Sequence, residues 1–90
     1  MGTHRFIVRG HVQGVGFRYF AVRVARRFRV TGTVRNMPDG TVEAIAQGSD
    51  DAIAGFRAEL ERGPSFGRVD SVHESMIEGG RRYSDFDVVY

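Results

Sequence analysis

The spacing of apolar residues alternates between two periods along the chain, and the order of these changes is what most constrains the fold. In five segments apolar and polar residues alternate, which predicts strands, and in two segments apolar residues recur at helical spacing. The predicted strands cover residues 4–10, 30–36, 41–48, 68–78 and 84–90, and the predicted helices cover residues 17–28 and 49–63. The order is therefore β-α-β-β-α-β, followed by a short C-terminal fifth strand.

This order predicts an α+β architecture. Each helix connects two strands, such crossovers are almost always right-handed, and the MPDG turn at residues 37–40 joins the middle strands into a hairpin. Two such units form a ferredoxin-like sandwich, with both helices on one face of an antiparallel or mixed sheet. The apolar stripes of the helices comprise Phe17, Phe20, Ala21, Val24, Ala25 and Phe28, and then Ile53, Phe56 and Leu60. A chain of 90 residues has room for one core, so we expect a single domain over residues 1–90.

Composition excludes several classes of protein. Hydrophobic residues make up 41% and charged residues 27% of the chain, which is ordinary for a soluble globular protein. The absence of cysteine excludes disulfides, a thiolate nucleophile and cysteine-ligated zinc. No segment approaches the length of a membrane span and no apolar leader follows the first residues, so we expect a cytoplasmic location and no membrane partner. Arginines crowd the first third of the chain, which favours an anionic ligand there.

The segment GHVQGVGFRYF, residues 10–20, places three glycines within seven residues between the first strand and the first helix. Glycine is costly to order, so such a cluster indicates a backbone requirement. The first amides of a helix are unpaired and carry the positive end of its dipole. Arg18, in the first helical turn, adds a guanidinium that suits bidentate contact with phosphate. The glycine loop, the start of the helix and Arg18 together predict a pocket that binds a phosphate or a carboxylate.

Other phosphate and nucleic-acid motifs fit this segment poorly. The loop ends in Gly-Phe-Arg rather than Gly-Lys-Ser/Thr, and G-x-G-x-x-G is absent. The DFD triplet at residues 85–87 resembles an aspartyl-phosphate motif, but no helix follows it and we interpret it as strand-edge charge. QGVGFRYF faintly resembles a motif of RNA-recognition domains, which place it on their third strand, whereas here it precedes a helix. An RNA- or anion-binding module without catalysis remains the non-enzymatic alternative.

Two separated segments, GHVQGVGFR and GTVRNMPDGTVEAIAQG, resemble the acylphosphatase family, and the resemblance extends over residues 5–90. It implies a ferredoxin-like fold and hydrolysis of the carboxyl–phosphate anhydride of small-molecule acyl phosphates, without metal, cofactor or covalent intermediate. It also implies that Arg18 binds the phosphate and that Asn36 positions the attacking water. The expected phosphate-binding segment comprises Gln13, Gly14, Val15, Gly16, Phe17 and Arg18. We expect no nucleic-acid partner and a monomer.

The chemistry is compatible with these residues. A carboxylate is a good leaving group, so phosphoryl transfer here depends on positioning and charge stabilisation. The amide oxygen of Asn36 can accept a hydrogen bond from a water. Many family members carry Trp at the position of Thr33, which strand parity places on the face opposite Asn36, so we expect altered packing or an altered pocket rim. We expect no catalytic role for the three histidines.

Acylphosphatase-like domains also occur within larger carbamoyl-transfer proteins, which gives a second enzymatic alternative. The length of the chain, which ends in a strand of its own, favours a free-standing protein over a fragment of such an assembly.

Overall fold

The computed structural model describes residues 2–90, which form five strands and two helices in the predicted order. The strands are β1 (Thr3–His11), β2 (Thr31–Asn36), β3 (Val42–Gln47), β4 (Arg68–Ile77) and β5 (Phe86–Val88), and the helices are α1 (Phe17–Phe28) and α2 (Asp50–Arg62). Every element lies where the apolar spacing predicts it, and the ends differ by a residue or two, as fraying ends do.

The sheet has the strand order β4-β1-β3-β2-β5. The pairs β1–β3, β1–β4 and β2–β3 are antiparallel, whereas β5 runs parallel to β2. The sheet is therefore mixed, with an edge formed by the short fifth strand. This confirms the predicted ferredoxin-like α+β class, with the two helices packed on one face.

The core lies between the helices and that face of the sheet. On β3 the strand period places Val42, Ala44 and Ala46 inward, where all three are fully buried. The ring of Phe56 on α2 packs against Phe6 and Phe86, with centroids 5.7 Å and 5.6 Å away. Burial of each such ring contributes about 1.5–3 kcal/mol, so the three rings anchor α2 to β1 and β5.

Gly10 has a role in the sheet rather than in the loop that follows. The pairing of β1 with β4 shifts register between Arg9 and Gly10, and Gly10 adopts φ 137°. A Cβ at this position would lie 2.1 Å from the carbonyl oxygen of Arg68, closer than any side chain can come. The first glycine of the motif is thus required by a β-bulge, whose extra residue, Asp70, lies on β4 opposite the step from Arg9 to Gly10.

A charged cluster around Glu74 joins β4 to its neighbours. Arg57 of α2 donates to Glu74 Oε1 at 2.6 Å, and His4 Nδ1 of β1 lies 2.7 Å from Glu74 Oε2. Partial burial raises the pKa of Glu74, but hydrogen bonds from Arg57 and His4 outweigh it and hold the pKa below its ordinary value. His4 is therefore engaged in a structural contact.

Candidate active site

The two helices begin differently. At α2 the Ser49 hydroxyl accepts a hydrogen bond from the Ala52 amide at 3.1 Å, and Asp50 and Asp51 lie in the first turn, as predicted for a helix start. At α1 the N-cap is Gly16, which has no side chain to offer, and the first turn contains no acidic residue. The first amides of α1 therefore lack a side-chain partner, and the positive end of its dipole is uncompensated.

Gly14 and Gly16 shape the loop that precedes α1. Both adopt left-handed conformations, with φ 74° and 78°, which a residue with a side chain rarely takes. A Cβ added at either position would meet no atom within 4 Å. Glycine is therefore required at both positions by the backbone conformation and not by a steric clash at Cβ. The absence of side chains leaves free space beside the loop amides.

That space is a small pocket with a volume of about 120 Å³. Its lining residues are Val12, Gly14, Gly16, Phe17, Arg18, Tyr19 and Asn36. Since a water molecule occupies about 30 Å³ of liquid, the pocket has roughly the volume of four waters. A phosphoryl group and one further water would fill it.

Arg18 is half-buried at this pocket, and its Cζ lies 5.2 Å from the centroid of the Tyr90 ring. Within residues 2–90, no carboxylate forms an ion pair with its guanidinium. An aromatic ring restrains a guanidinium without occupying its N–H donors, which a carboxylate would do. The donors of Arg18 are thus available to an anion.

Asn36, the last residue of β2, contributes an unusual group. Its side-chain oxygen Oδ1 is buried and accepts no hydrogen bond from residues 2–90. Leaving a buried acceptor unpaired costs about 1–3 kcal/mol, so such groups in native proteins call for an explanation. A water or ligand in the pocket that Asn36 lines would supply the missing donor.

Gln13 connects the loop to the turn that follows Asn36. Its Nε2 donates to the carbonyl oxygens of Met37 and Thr41, at 2.8 Å and 2.9 Å. The turn is closed by Asp39, whose carboxylate accepts from the Thr41 hydroxyl and amide, and these bonds lower the pKa of Asp39. The Gln13 side chain thereby holds the two halves of the pocket together.

The structure brings together most of the residues that the sequence predicts for the site. Arg18 and Asn36 line one pocket, together with Gly14, Gly16 and Phe17. The residues Gln13 and Val15 are not among those lining it; Gln13 forms the tether described above and Val15 packs against the core. Participation of their main-chain amides stays a prediction. None of the histidines lines the pocket.

The sequence pattern does not identify Val12, and for Tyr19 it allows two interpretations, a surface aromatic or a residue that lines the pocket. Val12 is almost fully buried and forms part of the pocket wall. Its position continues the inward parity of Phe6 and Val8 past the end of the predicted strand, which is the signal that could have identified it. Tyr19 lines the pocket and is also 64% exposed, so both interpretations hold.

A larger depression of about 620 Å³ lies at the other end of the strands, beside Thr3 and Gln47. Its buried polar groups are already paired: Gln47 Nε2 donates to Thr3 Oγ1 and to the Arg81 carbonyl oxygen, and Gln47 Oε1 accepts from the Tyr83 amide. We therefore assign the candidate site to the smaller pocket, where an acceptor and several amides are free.

Two kinds of feature are absent from residues 2–90. No group of three or more His, Cys, Asp or Glu side chains is placed to hold a metal ion. No helix in this part of the chain is both long and apolar enough to cross a bilayer.

The fold and the site together define a ferredoxin-like domain with a candidate anion-binding loop at the start of its first helix. The family model for acylphosphatase matches residues 4–88. A relative from Actinobacillus succinogenes named acylphosphatase is 45% identical over 88 residues, which cover 98% of each chain. The crystal structure of acylphosphatase from Bacillus subtilis has a TM-score of 0.95 and 36% identity, with 100% of both chains covered.

Full-length HypF, in its phosphate- and nucleotide-bound form, matches with a TM-score of 0.90 and 29% identity over 99% of this chain and 12% of that chain. The chain belongs to the acylphosphatase family, and so to the hydrolases that act on acid anhydrides.

Proposed function

We propose that the chain hydrolyses acyl phosphates to a carboxylate and inorganic phosphate by direct attack of a water molecule. The observation that carries this proposal is the orphaned Oδ1 of Asn36 in a phosphate-sized pocket whose other walls are an uncapped helix start and Arg18. The amides of residues 13–18 and the Arg18 guanidinium, hereafter the cradle, offer hydrogen-bond donors to an anion. The buried Oδ1 of Asn36 lines the same pocket and can accept a hydrogen bond from a water.

The cradle binds the phosphoryl group. The main-chain amides of residues 13–18 and the guanidinium of Arg18 donate to its non-bridging oxygens, which gain negative charge in the transition state. Donors that are already fixed stabilise this charge without reorganising, and each such donor typically accounts for about 10²–10³-fold in rate. No carboxylate of residues 2–90 forms an ion pair with Arg18, which leaves that charge for the substrate.

Asn36 orients the nucleophile. Its Oδ1 accepts one O–H of the water, which directs an oxygen lone pair toward phosphorus. The new P–O bond forms as the bond between phosphorus and the carboxyl oxygen breaks, and the carboxylate leaves with the electron pair. An amide is a poor base, so the proton of the water passes to a phosphate oxygen of the substrate.

Steady-state hydrolysis of benzoyl phosphate, with and without EDTA, tests the proposal. We expect turnover that EDTA does not reduce and that inorganic phosphate inhibits competitively, because product and substrate share the cradle. Activity that is lost in EDTA and restored by magnesium would contradict the mechanism. Binding of phosphate without turnover of any acyl phosphate would favour the anion-binding module instead.

A second candidate, a domain that acts in carbamoyl transfer, is favoured by one observation. The same fold makes up 12% of the much longer HypF chain. Carbamoyl phosphate assayed beside benzoyl phosphate separates the candidates, since a domain that serves carbamoyl transfer should strongly prefer the carbamoyl compound.

A further inference from the structure

If the chain hydrolyses acyl phosphates as proposed above, the pocket accounts for the phosphoryl group of the substrate but not for its acyl group. At about 120 Å³ the pocket would be filled by a phosphoryl group and the attacking water. The acyl group of any substrate must therefore lie outside it.

The direction in which the acyl group leaves follows from the reaction geometry. The attacking water and the leaving oxygen lie roughly in line through phosphorus. The water is held at Asn36 Oδ1, a fully buried atom on the inner wall of the pocket. The leaving carboxylate therefore points outward, through the mouth.

Two exposed tyrosines lie at the pocket or beside one of its lining residues. Among the lining residues, the exposed ones are Gly14, Gly16 and Tyr19, and of these only Tyr19 has a side chain. Tyr19 is 64% exposed. Tyr90 does not line the pocket, but its ring packs on the guanidinium of the lining residue Arg18, and Tyr90 is 93% exposed. Of the four exposed large apolar residues within residues 2–90, Tyr19 thus follows Arg18 in the chain and Tyr90 contacts its side chain.

We propose that Tyr19 and Tyr90 form an acyl subsite, hereafter the aromatic rim, which makes the site selective for aromatic or extended apolar acyl groups over acetyl. Aromatic rings that meet at the mouth gain contact area and favourable edge or offset stacking, worth roughly 2- to 13-fold per pair. An acetyl group has neither a ring nor an extended chain with which to make these contacts.

The experiment compares kcat/KM for benzoyl phosphate and acetyl phosphate in the wild type and in single variants. In Tyr19→Ala we expect the ratio of the two values to fall by roughly 3- to 10-fold, since one ring contact is lost. Tyr19→Phe should keep the wild-type ratio because the ring remains. Tyr90→Ala should also lower the ratio. Met76→Ala is the control, because Met76 is an exposed apolar residue beside the opposite depression.

A binding measurement separates failure of this inference from failure of the proposed function. Calorimetric titration with inorganic phosphate and with benzylphosphonate needs no turnover. We expect Tyr19→Ala to weaken only the phosphonate, again by roughly 3- to 10-fold. Equal ratios in Tyr19→Ala and the wild type, or equal weakening of both ligands, would overturn the aromatic rim while leaving hydrolysis intact. A wild type that binds both ligands but turns over neither acyl phosphate would overturn the proposed function, and with it the role of the aromatic rim as an acyl subsite.

Discussion

Replacing Asn36 with alanine should lower activity strongly while leaving stability nearly unchanged. The substitution removes the acceptor proposed to hold the water, so we expect kcat for benzoyl phosphate to fall by about 10²–10³-fold. The cradle formed by the loop and Arg18 is untouched, so inhibition by inorganic phosphate should be nearly unchanged. This is the pattern of an interaction that acts mainly in the transition state.

The stability of the same variant follows from the lack of a protein donor to Asn36 Oδ1 within residues 2–90. The substitution breaks no hydrogen bond between Oδ1 and another residue, so it leaves no buried protein donor unpaired, which would cost about 1–3 kcal/mol. Only side-chain packing is lost, so we expect a free energy of unfolding within about 1 kcal/mol of the wild-type value. In a domain of this size 1 kcal/mol shifts Tm by roughly 4–8 °C, which scanning calorimetry resolves.

Gln47→Ala is the matched control, because Gln47 is also a side-chain amide at a strand end. Its amide makes three hydrogen bonds, to Thr3, Arg81 and Tyr83, so the variant should lose about 3 kcal/mol of stability at about 1 kcal/mol per bond. It lies away from the pocket, so kcat should stay near the wild-type value. If Asn36→Ala were instead destabilised like Gln47→Ala and kept its kcat, the assigned role of Asn36 would be refuted.

Three further predictions concern the cradle, its tether and the charged cluster. Arg18→Ala should lower kcat/KM by about 10²–10³-fold, while circular dichroism shows an intact fold. Arg18→Lys should restore little activity, because an ammonium cannot make the two parallel hydrogen bonds of a guanidinium. Full activity in the alanine variant would disprove the phosphate-binding role of Arg18. Gln13→Ala should lower the free energy of unfolding in urea by about 1–3 kcal/mol, and it should also lower kcat, because the turn after Asn36 is no longer held by the Gln13 side chain. If neither value changed, the structural role of Gln13 would be excluded. Glu74→Gln should be about 1 kcal/mol less stable than the wild type at neutral pH. Because folding lowers the pKa of Glu74 from its ordinary 4.5, this difference should be fully present above pH 4.5 and be lost as the pH falls through the lower folded-state pKa. A difference that did not shrink on acidification would contradict the ion-pair account.

The order of the elements could be predicted because each segment carries its own period and its own buried face. Val42, Ala44 and Ala46 alternate along β3, and all three are buried in the structure. The pattern could not fix the neighbour of β5, because a strand of three residues contains too little apolar information to select a parallel edge of the sheet.

The site could be located from sequence but not resolved in detail. Gly10, Gly14 and Gly16 look alike in the motif, yet Gly10 is required by the carbonyl of Arg68 far along the chain, and only the other two shape the loop. The tether formed by Gln13 and the orphaned oxygen of Asn36 depend on which groups tertiary packing brings near, or fails to bring near. The spacing of residues along the chain does not indicate which polar groups the fold will pair and which it will leave without a partner.

The uncapped start of α1 makes the ligand a structural component of the helix. A bound phosphoryl group would supply the acceptors that Ser49 supplies to α2, so ligand occupancy and folding stability are thermodynamically linked. Phosphate at 100 times its dissociation constant would stabilise the fold by about 2.7 kcal/mol. Conversely, any substitution that gave α1 an anionic cap of its own would act as a tethered competitive inhibitor, stabilising the protein while closing its site.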